Sequence, residues 1–154
     1  MIIRKGQVSD ARVLAQIHAQ EITYGFLSAL GSRFLELFYK SLMASPVGFC
    51  FVVEQQGEVQ GFITGVTNMK SLYKSFLLRY GVQAGVLLLP KIFSIRKIIE
   101  SLLYSKKSEQ DVPKAELVSI ALVQELKGSG AATQLFEHFV QEMKERSVQE
   151  VKVL

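Results

Sequence analysis

A glycine-rich turn in the last third of the chain has the residue types that bind a phosphate group. Its sequence is Lys127-Gly128-Ser129-Gly130-Ala131-Ala132. Glycines let the backbone approach a ligand closely, and the unpaired first N–H groups of a helix form an anion site with the helix dipole. Lys127 adds a positive charge beside them. The turn therefore predicts a site for a phosphate or a diphosphate.

Two common phosphate-binding patterns do not fit this turn. A Walker A loop places its lysine after the glycines, whereas Lys127 precedes them. A dinucleotide fingerprint needs glycine or alanine at the position of Thr133, and it opens a domain instead of lying near the end of the chain. A nucleotide-binding domain that uses this turn is therefore the weakest of the functions that the turn allows.

The elements that must position the turn are a strand before it and a helix after it. Residues 115–123 are almost continuously apolar, which predicts a central strand covered on both faces. Residues 131–146 repeat apolar side chains at helical spacing. The face of this helix is expected to carry Leu135, Phe136, Phe139, Val140 and Met143.

The first half of the chain predicts a strand, two helices and a hairpin. The strand covers residues 2–4, and the first helix is capped by Ser9 or Asp10. The second helix starts near Ser32, with Phe34, Leu35, Phe38 and Leu42 on its apolar face. Two aromatic and β-branched segments within residues 49–66 flank a polar turn, which is typical of an antiparallel hairpin.

Residues 67–112 predict a helical insertion between two strands. A helix is expected around Leu72 and Phe76, with an interruption from Gly81 to Gly85 and a second helical pattern over residues 87–103. Between residues 70 and 107, eight basic residues and one acidic residue alternate with apolar ones. This pattern fits an anionic membrane surface or packing against the sheet, and we favour packing.

The composition excludes several classes of protein. A chain of 154 residues suits one domain. Hydrophobic residues make up 49% of the chain, which excludes intrinsic disorder. Cys50 is the single cysteine, which excludes an internal disulfide and a cysteine-based zinc cluster. The net charge of +4 is too small to indicate nucleic acid, and the two histidines have no metal-ligand spacing. The sequence has neither the apolar run of a signal peptide nor one long enough to span a bilayer. We therefore expect a cytoplasmic protein that binds neither nucleic acid nor metal.

The glycine turn and the segments before it resemble the GNAT N-acetyltransferase superfamily. The turn falls on the six positions of the family signature [QR]-x-x-G-x-[GA], with Lys127 where the family usually has arginine or glutamine. The hairpin is similar to the family pattern E-x-x-G-x-V-x-G-F. It matches at Glu54, Gly57, Val59, Gly61 and Phe62.

The resemblance implies the fold and the cofactor. It implies one α/β domain over residues 1–154, with a mixed, largely antiparallel central sheet flanked by helices and with residues 67–112 inserted between strands 3 and 4. In the family the fourth strand splays from its neighbour and pairs with the pantetheine arm of acetyl-CoA. That implies backbone contacts from Ile120, Ala121 and Leu122, and a coenzyme A diphosphate on the glycine turn.

The resemblance also implies catalytic and acceptor residues. Glu116 occupies the strand position at which the histone-acetyltransferase branch has its general base, and the N–H of Leu122 is a candidate to hold the thioester oxygen. Glu21 and Tyr24 match a region that shapes the acceptor pocket. The expected reaction is direct transfer of an acetyl group from acetyl-CoA to a primary amine of a small molecule or peptide. The alternative is a non-catalytic acyl-CoA-binding module, with or without a peripheral association with a membrane.

The sequence departs from the family pattern at its end. The chain stops at residues 151–154, within the expected fifth strand. The family's next element supplies an asparagine and a tyrosine, and the tyrosine often protonates the leaving thiolate. The general acid is therefore unassigned, and the exposed edge of this last strand favours pairing in a homodimer.

Overall fold

The computed structural model describes residues 1–91 and 113–153 of the chain. The strands are β1 (Ile2–Lys5), β2 (Gly48–Gln55), β3 (Glu58–Val66), β4 (Ala115–Leu122) and β5 (Val151–Val153). The helices are α1 (Ala11–Glu21), α2 (Phe26–Leu30), α3 (Ser32–Ala44), α4 (Met69–Leu88) and α5 (Ala131–Glu145).

The five strands form one sheet in the order β1-β2-β3-β4-β5. The first three pairings are antiparallel and the last, between β4 and β5, is parallel. The expectation of a mixed, largely antiparallel sheet is therefore confirmed. The order also makes β4 an internal strand, as its apolar sequence predicts.

Helices cover both faces of the sheet, because alternate residues of each strand point to opposite sides. On one face the buried side chains of α1, α3 and α4 pack on Val52, Phe62 and Val66. On the other face α5 packs on Phe49, Phe51 and Ile63 of the hairpin. The sheet therefore has α1 on one face and α5 on the other.

Three local expectations need correction. Gly81 and Gly85 do not interrupt α4, which is continuous from Met69 to Leu88. Each internal glycine costs a helix only about 1 kcal/mol, and the core contacts of Leu72 and Phe76 outweigh that cost. Phe136 belongs to the exposed side of α5 and not to its buried face. The segment 26–30, for which the sequence predicts no element, forms the short helix α2.

The described part of the inserted segment is helical, and the rest of its predictions lie outside the described residues. The second helical pattern falls mostly within residues 92–112, as does the predicted solvated loop at 106–111. Among residues 1–91 and 113–153, no helix is both long and apolar enough to cross a bilayer.

Candidate functional site

A β-bulge divides β4 into two parts with different pairing. Thr64 of β3 pairs with Ser119, but the next residue, Gly65, pairs with Leu117. Val118 is therefore the extra residue on β4. A bulge bends its strand and re-aims the side chains around it, so the residues before and after Val118 are directed differently.

The upstream part of β4 pairs with β5, and the downstream part does not. β5 pairs in parallel with Ala115–Leu117. Within the described ranges, no strand pairs with Val118 to Leu122 on the side of β4 that faces away from β3. We call this side of residues 118–122 the open edge.

The hydrogen-bond alternation of the sheet decides which residues face the open edge. The N–H of Val123 donates to the carbonyl of Gln60 at 2.9 Å. Because hydrogen-bonded pairs recur at every second residue of an antiparallel ladder, the pair Phe62–Ala121 is also bonded. The N–H and C=O groups of Ile120 and Leu122 therefore point to the open edge, whereas those of Ala121 point to β3.

The glycine turn, residues 127–132, follows β4 and starts α5. Gly128 and Gly130 have φ values of +83° and +82°, which are left-handed conformations that favour glycine. A Cβ atom built on either residue would meet no atom within 4 Å. The two glycines therefore leave open space beside the backbone at the start of the helix.

The first N–H groups of α5 face this space. The N–H of Ala131 donates to Ser129 Oγ at 3.3 Å, and the first bond within the helix joins the N–H of Gln134 to Gly130 O at 3.2 Å. The N–H groups of Ala132 and Thr133 lie between these two and have no acceptor one helical turn before them. Together with the helix dipole, they form a partially positive site.

Lys127 and Glu21 form an ion pair, although the sequence predicts that Lys127 binds the cofactor and Glu21 the acceptor. Lys127 Nζ lies 2.7 Å from Glu21 Oε2 and also 2.7 Å from Gln124 Oε1. The pair places the C-terminal end of α1 beside the glycine turn. Tyr24, three residues beyond Glu21, is 89% exposed in the loop between α1 and α2.

Glu116 lies on the upstream part of β4, away from the glycine turn. It is half-buried and pairs in register with Val66 of β3 and Lys152 of β5. Burial, together with the negative charge of Glu116, raises the pKa of Tyr73 on α4. Glu116 therefore lies on the face of the sheet that α4 covers, with Tyr73 near it.

A buried polar chain connects three helices to β4 next to the bulge. The imidazole of His18 is 2% exposed, and its Nδ1 lies 2.5 Å from the hydroxyl of Tyr39. Tyr39 donates onward to Ser119 Oγ at 3.1 Å, and Nε2 of His18 lies 3.1 Å from Ser28 Oγ. Burial lowers the pKa of His18 to about 4 and raises the pKa of Tyr39. The imidazole is therefore neutral near pH 7.

Sequence reasoning misses this polar chain, and it misses Tyr73. His18 is buried on α1. The other residues of this polar chain lie on α2, α3 and β4, so no local sequence spacing predicts their contact with His18. Cys50 is buried, and burial raises the pKa of its thiol.

A metal site is not formed by the described residues. In residues 1–91 and 113–153, no group of three or more histidine, cysteine, aspartate and glutamate side chains could hold a metal ion.

Comparisons with solved structures identify the fold. An aminoglycoside antibiotic 6'-N-acetyltransferase from Acinetobacter haemolyticus matches 100% of this chain and 79% of its own, with a TM-score of 0.61 and 10% identity. A predicted acetyltransferase with acetyl-CoA from Clostridium acetobutylicum matches 99% of this chain and 79% of its own, with a TM-score of 0.61 and 11% identity.

A ribosomal-protein-alanine N-acetyltransferase from Brucella melitensis is similar to the chain as well. It matches 99% of this chain and 77% of its own, with a TM-score of 0.53 and 13% identity. At these identities the likeness shows the fold alone. No curated protein sequence matches the chain.

The family itself is shown by the sequence. The model of the acetyltransferase (GNAT) family matches residues 14–154, which include the hairpin, β4, the glycine turn and α5. The chain therefore belongs to the GNAT acetyltransferase family.

Proposed function

We propose that this protein is an N-acetyltransferase that moves an acetyl group from acetyl-CoA directly to a primary amine. The observation that carries the proposal is the continuity of two binding features. The open edge of β4 presents unpaired strand positions, and the same chain segment leads within a few residues to the anion site at the start of α5. Those features suit the amide-bearing arm and the diphosphate of coenzyme A.

The glycine turn fits the diphosphate. The N–H groups of Ala132 and Thr133 supply donors, Lys127 supplies a charge, and Gly128 and Gly130 leave the space that a side chain would fill. Helix N-termini bind phosphates through this combination of donors and dipole. We therefore assign the diphosphate to residues 127–132 and the N–H of Thr133. The N–H of Ala131 donates to Ser129 Oγ, which holds the turn in place beneath the ligand.

The open edge fits the pantetheine arm. Ile120 and Leu122 direct their backbone groups outward, so an amide-bearing chain can add to β4 as another strand would. Ala121, which the sequence places in the same set, directs its own backbone groups to β3, so the backbone contacts that we propose come from Ile120 and Leu122. When bound, acetyl-CoA supplies a thioester that is already reactive, so positioning of the reactants can provide much of the rate.

Glu116 is our candidate for the general base. An amine must lose a proton to become a nucleophile, and a carboxylate at the inner face of a cleft can accept it directly or through water. Glu116 is half-buried on β4, upstream of the bulge and on the α4 side of the sheet. Of the two N–H groups at the open edge, that of Leu122 lies six residues along β4 from Glu116, about 20 Å in an extended strand, and that of Ile120 lies closer. The N–H of Ile120 is therefore the better candidate donor to the carbonyl oxygen that gains charge, and Leu122 is left to the pantetheine arm.

Glu21 and Tyr24 are our candidates for the acceptor side. Glu21 lies beside the glycine turn and Tyr24 in the loop after α1, whereas Glu116 lies at the other end of β4, so an acceptor that contacts all three must extend along the strand. The acceptor is proposed to be a small-molecule or peptide amine. Homodimer formation and a cytoplasmic location, both expected from the sequence, stay predictions.

Two measurements test the proposed function. Acetyl-CoA at ~100 times its Kd is expected to stabilise the fold by about 2.7 kcal/mol, seen as a rise in Tm that ATP and NAD do not produce. Thiol release is then followed with a panel of amines. A rise in Tm without thiol release would favour the non-catalytic acyl-CoA-binding module. No rise in Tm with acetyl-CoA would exclude both the acetyltransferase and the binding module.

A further inference from the structure

The helix α4 is fixed to the body of the protein by one face only. Phe76 packs against Phe34 and Phe38 of α3, with ring centroids 5.4 and 6.1 Å apart. Leu72 and Ala84 are buried in the same cluster. The helix has 20 residues. At a rise of about 1.5 Å per residue it forms a rod about 30 Å long, which the core holds along one side.

The opposite face of α4 is also apolar, and it is exposed. Leu78 and Val82 are 81% and 84% exposed, and Leu77 and Val86 are exposed as well. Leu78, Val82 and Val86 are spaced by four residues, so they form one row along the helix. We call these three residues the exposed stripe of α4; Leu77 lies about 100° around the helix from Leu78 and is outside it. Contiguous apolar patches of this kind mark interaction sites on soluble proteins.

The charged residues of α4 are all basic. Lys70, Lys74 and Arg79 are exposed residues of α4, and the helix contains no aspartate or glutamate. Lys70 and Lys74 lie eight and four residues before Leu78, so they continue the row at its N-terminal end. Arg79 lies about 100° around the helix from Leu78 and about 60° from Val82, beside the row. An apolar row with cations at one end and along one side matches a surface that is apolar inside and anionic outside.

We propose that the exposed stripe of α4 binds the surface of an anionic lipid membrane, with α4 lying in the plane of the interface. A helix in this orientation buries its apolar side chains at the boundary of headgroups and acyl chains, while lysine and arginine contact the lipid phosphates. The long stems of Lys70 and Lys74 let their ammonium groups reach the headgroup level.

A second copy of this chain is a less suitable occupant. A two-fold contact through the stripe would place each α4 against its own copy. The cations beyond the stripe would then find no carboxylate on the α4 of the other copy to pair with. An anionic membrane supplies that negative charge.

Vesicle flotation with the full chain tests the proposal. The vesicles are phosphatidylcholine alone, or phosphatidylcholine and phosphatidylglycerol in equal parts, at low and at high salt. The wild-type chain is expected to float with the anionic vesicles at low salt and to be released by salt. Leu78→Glu/Val82→Glu is expected to abolish flotation, and Lys70→Gln/Lys74→Gln to weaken it several-fold, since each cation contributes near a charged surface.

Matched variants separate the stripe from general effects on charge. Val8→Glu adds a carboxylate at an exposed apolar residue outside α4, and Lys144→Gln removes an exposed cation from α5; both are expected to float as the wild type does. The Tm of every variant is measured with and without acetyl-CoA, so that misfolding is recognised.

Three outcomes would overturn the proposal. The wild type could remain unbound to anionic vesicles, or the stripe variants could bind as well as the wild type. Light scattering could also show a dimer that Leu78→Glu/Val82→Glu dissociates while no flotation occurs, which would assign the stripe to a second copy. None of these results depends on whether the protein transfers an acetyl group.

Discussion

The ammonium group of Lys127 lies 2.7 Å from a carboxylate oxygen of Glu21, although 106 positions separate the two residues in the chain. One residue belongs to the proposed diphosphate site and the other to the proposed acceptor side. A diphosphate on the glycine turn would compete with Glu21 for Lys127. The pair therefore links the state of the cofactor site to the position of the loop that follows α1.

Glu21→Gln is expected to tighten acetyl-CoA binding. The change removes the competing carboxylate and a negative charge close to the diphosphate, and it leaves a side chain of the same size. Because exposed ion pairs contribute about 0.2–1 kcal/mol, the expected gain is at most about fivefold in Kd, measured by isothermal titration calorimetry.

The control for this prediction is Glu125→Gln, which removes an exposed carboxylate close to the same turn. Lys127→Met is expected to weaken binding, and Glu21→Gln to have no further effect in its presence. Equal gains from Glu125→Gln and Glu21→Gln would show that general charge, and not the pair, sets the affinity.

Gly130→Ala is expected to remove acetyl-CoA binding at a small cost in stability. The φ of Gly130 is +82°. A left-handed conformation costs a residue with a Cβ about 1–2 kcal/mol, and the added methyl group meets nothing in the protein itself. It would project into the space assigned to the diphosphate. Calorimetric titration measures the affinity, and thermal unfolding measures the stability.

Gly57→Ala is a closely matched control for that substitution. Gly57 has the same φ of +82° and the same open surroundings, but it lies in the β2–β3 turn, outside the proposed site. Both variants should lose similar stability, and only Gly130→Ala should lose the cofactor. Unchanged affinity in Gly130→Ala would move the diphosphate away from the glycine turn.

Glu116→Gln is expected to lower kcat by about 100-fold or more, which is the usual contribution of a general base. Acetyl-CoA affinity should stay unchanged because Glu116 lies upstream of the open edge. Thiol release with the best amine of the panel measures the rate. Glu58→Gln, at an exposed position at the start of β3, is the control, and a rate for Glu116→Gln equal to that of Glu58→Gln would exclude Glu116 as the base.

Local sequence is sufficient to predict the parts of the site that are continuous in the chain. The apolar run of β4 predicts an internal strand, and the glycines after it predict the start of a helix. Both properties depend on neighbouring residues: an uninterrupted apolar run requires two covered faces, and left-handed φ values require glycine.

Contacts between distant segments cannot be predicted in this way. The pairing of Lys127 with Glu21 depends on how α1 and α5 pack on opposite sides of the same sheet. The continuity of α4 through Gly81 depends on Phe76 packing against α3. Tertiary packing decides both outcomes. For α4, helix propensity alone favours a break at Gly81, and packing overrides it.

Lowering the pH below about 6.5 is expected to destabilise the fold through His18. The pKa of His18 falls from 6.5 to about 4 on folding because burial disfavours the charged imidazole. The unfolded chain therefore binds more protons than the folded chain in this range, and stability falls as the pH falls. The loss is about 1.4 kcal/mol for each pH unit between the two values, and Tm measured from pH 7 to pH 4 reports it.

Two histidine variants show whether this slope belongs to the buried polar chain. His18→Gln should flatten the slope between pH 6.5 and 4, at the cost of a lower Tm at neutral pH, because a neutral amide does not gain a charge when the protein unfolds. His138→Gln, at an exposed position on α5, should keep the wild-type slope. Asp10 and Glu142 also have lowered pKa values, so the stability that these carboxylates contribute is lost at more acidic pH than that of His18. If His18→Gln still loses stability between pH 6.5 and 5, the slope does not belong to His18.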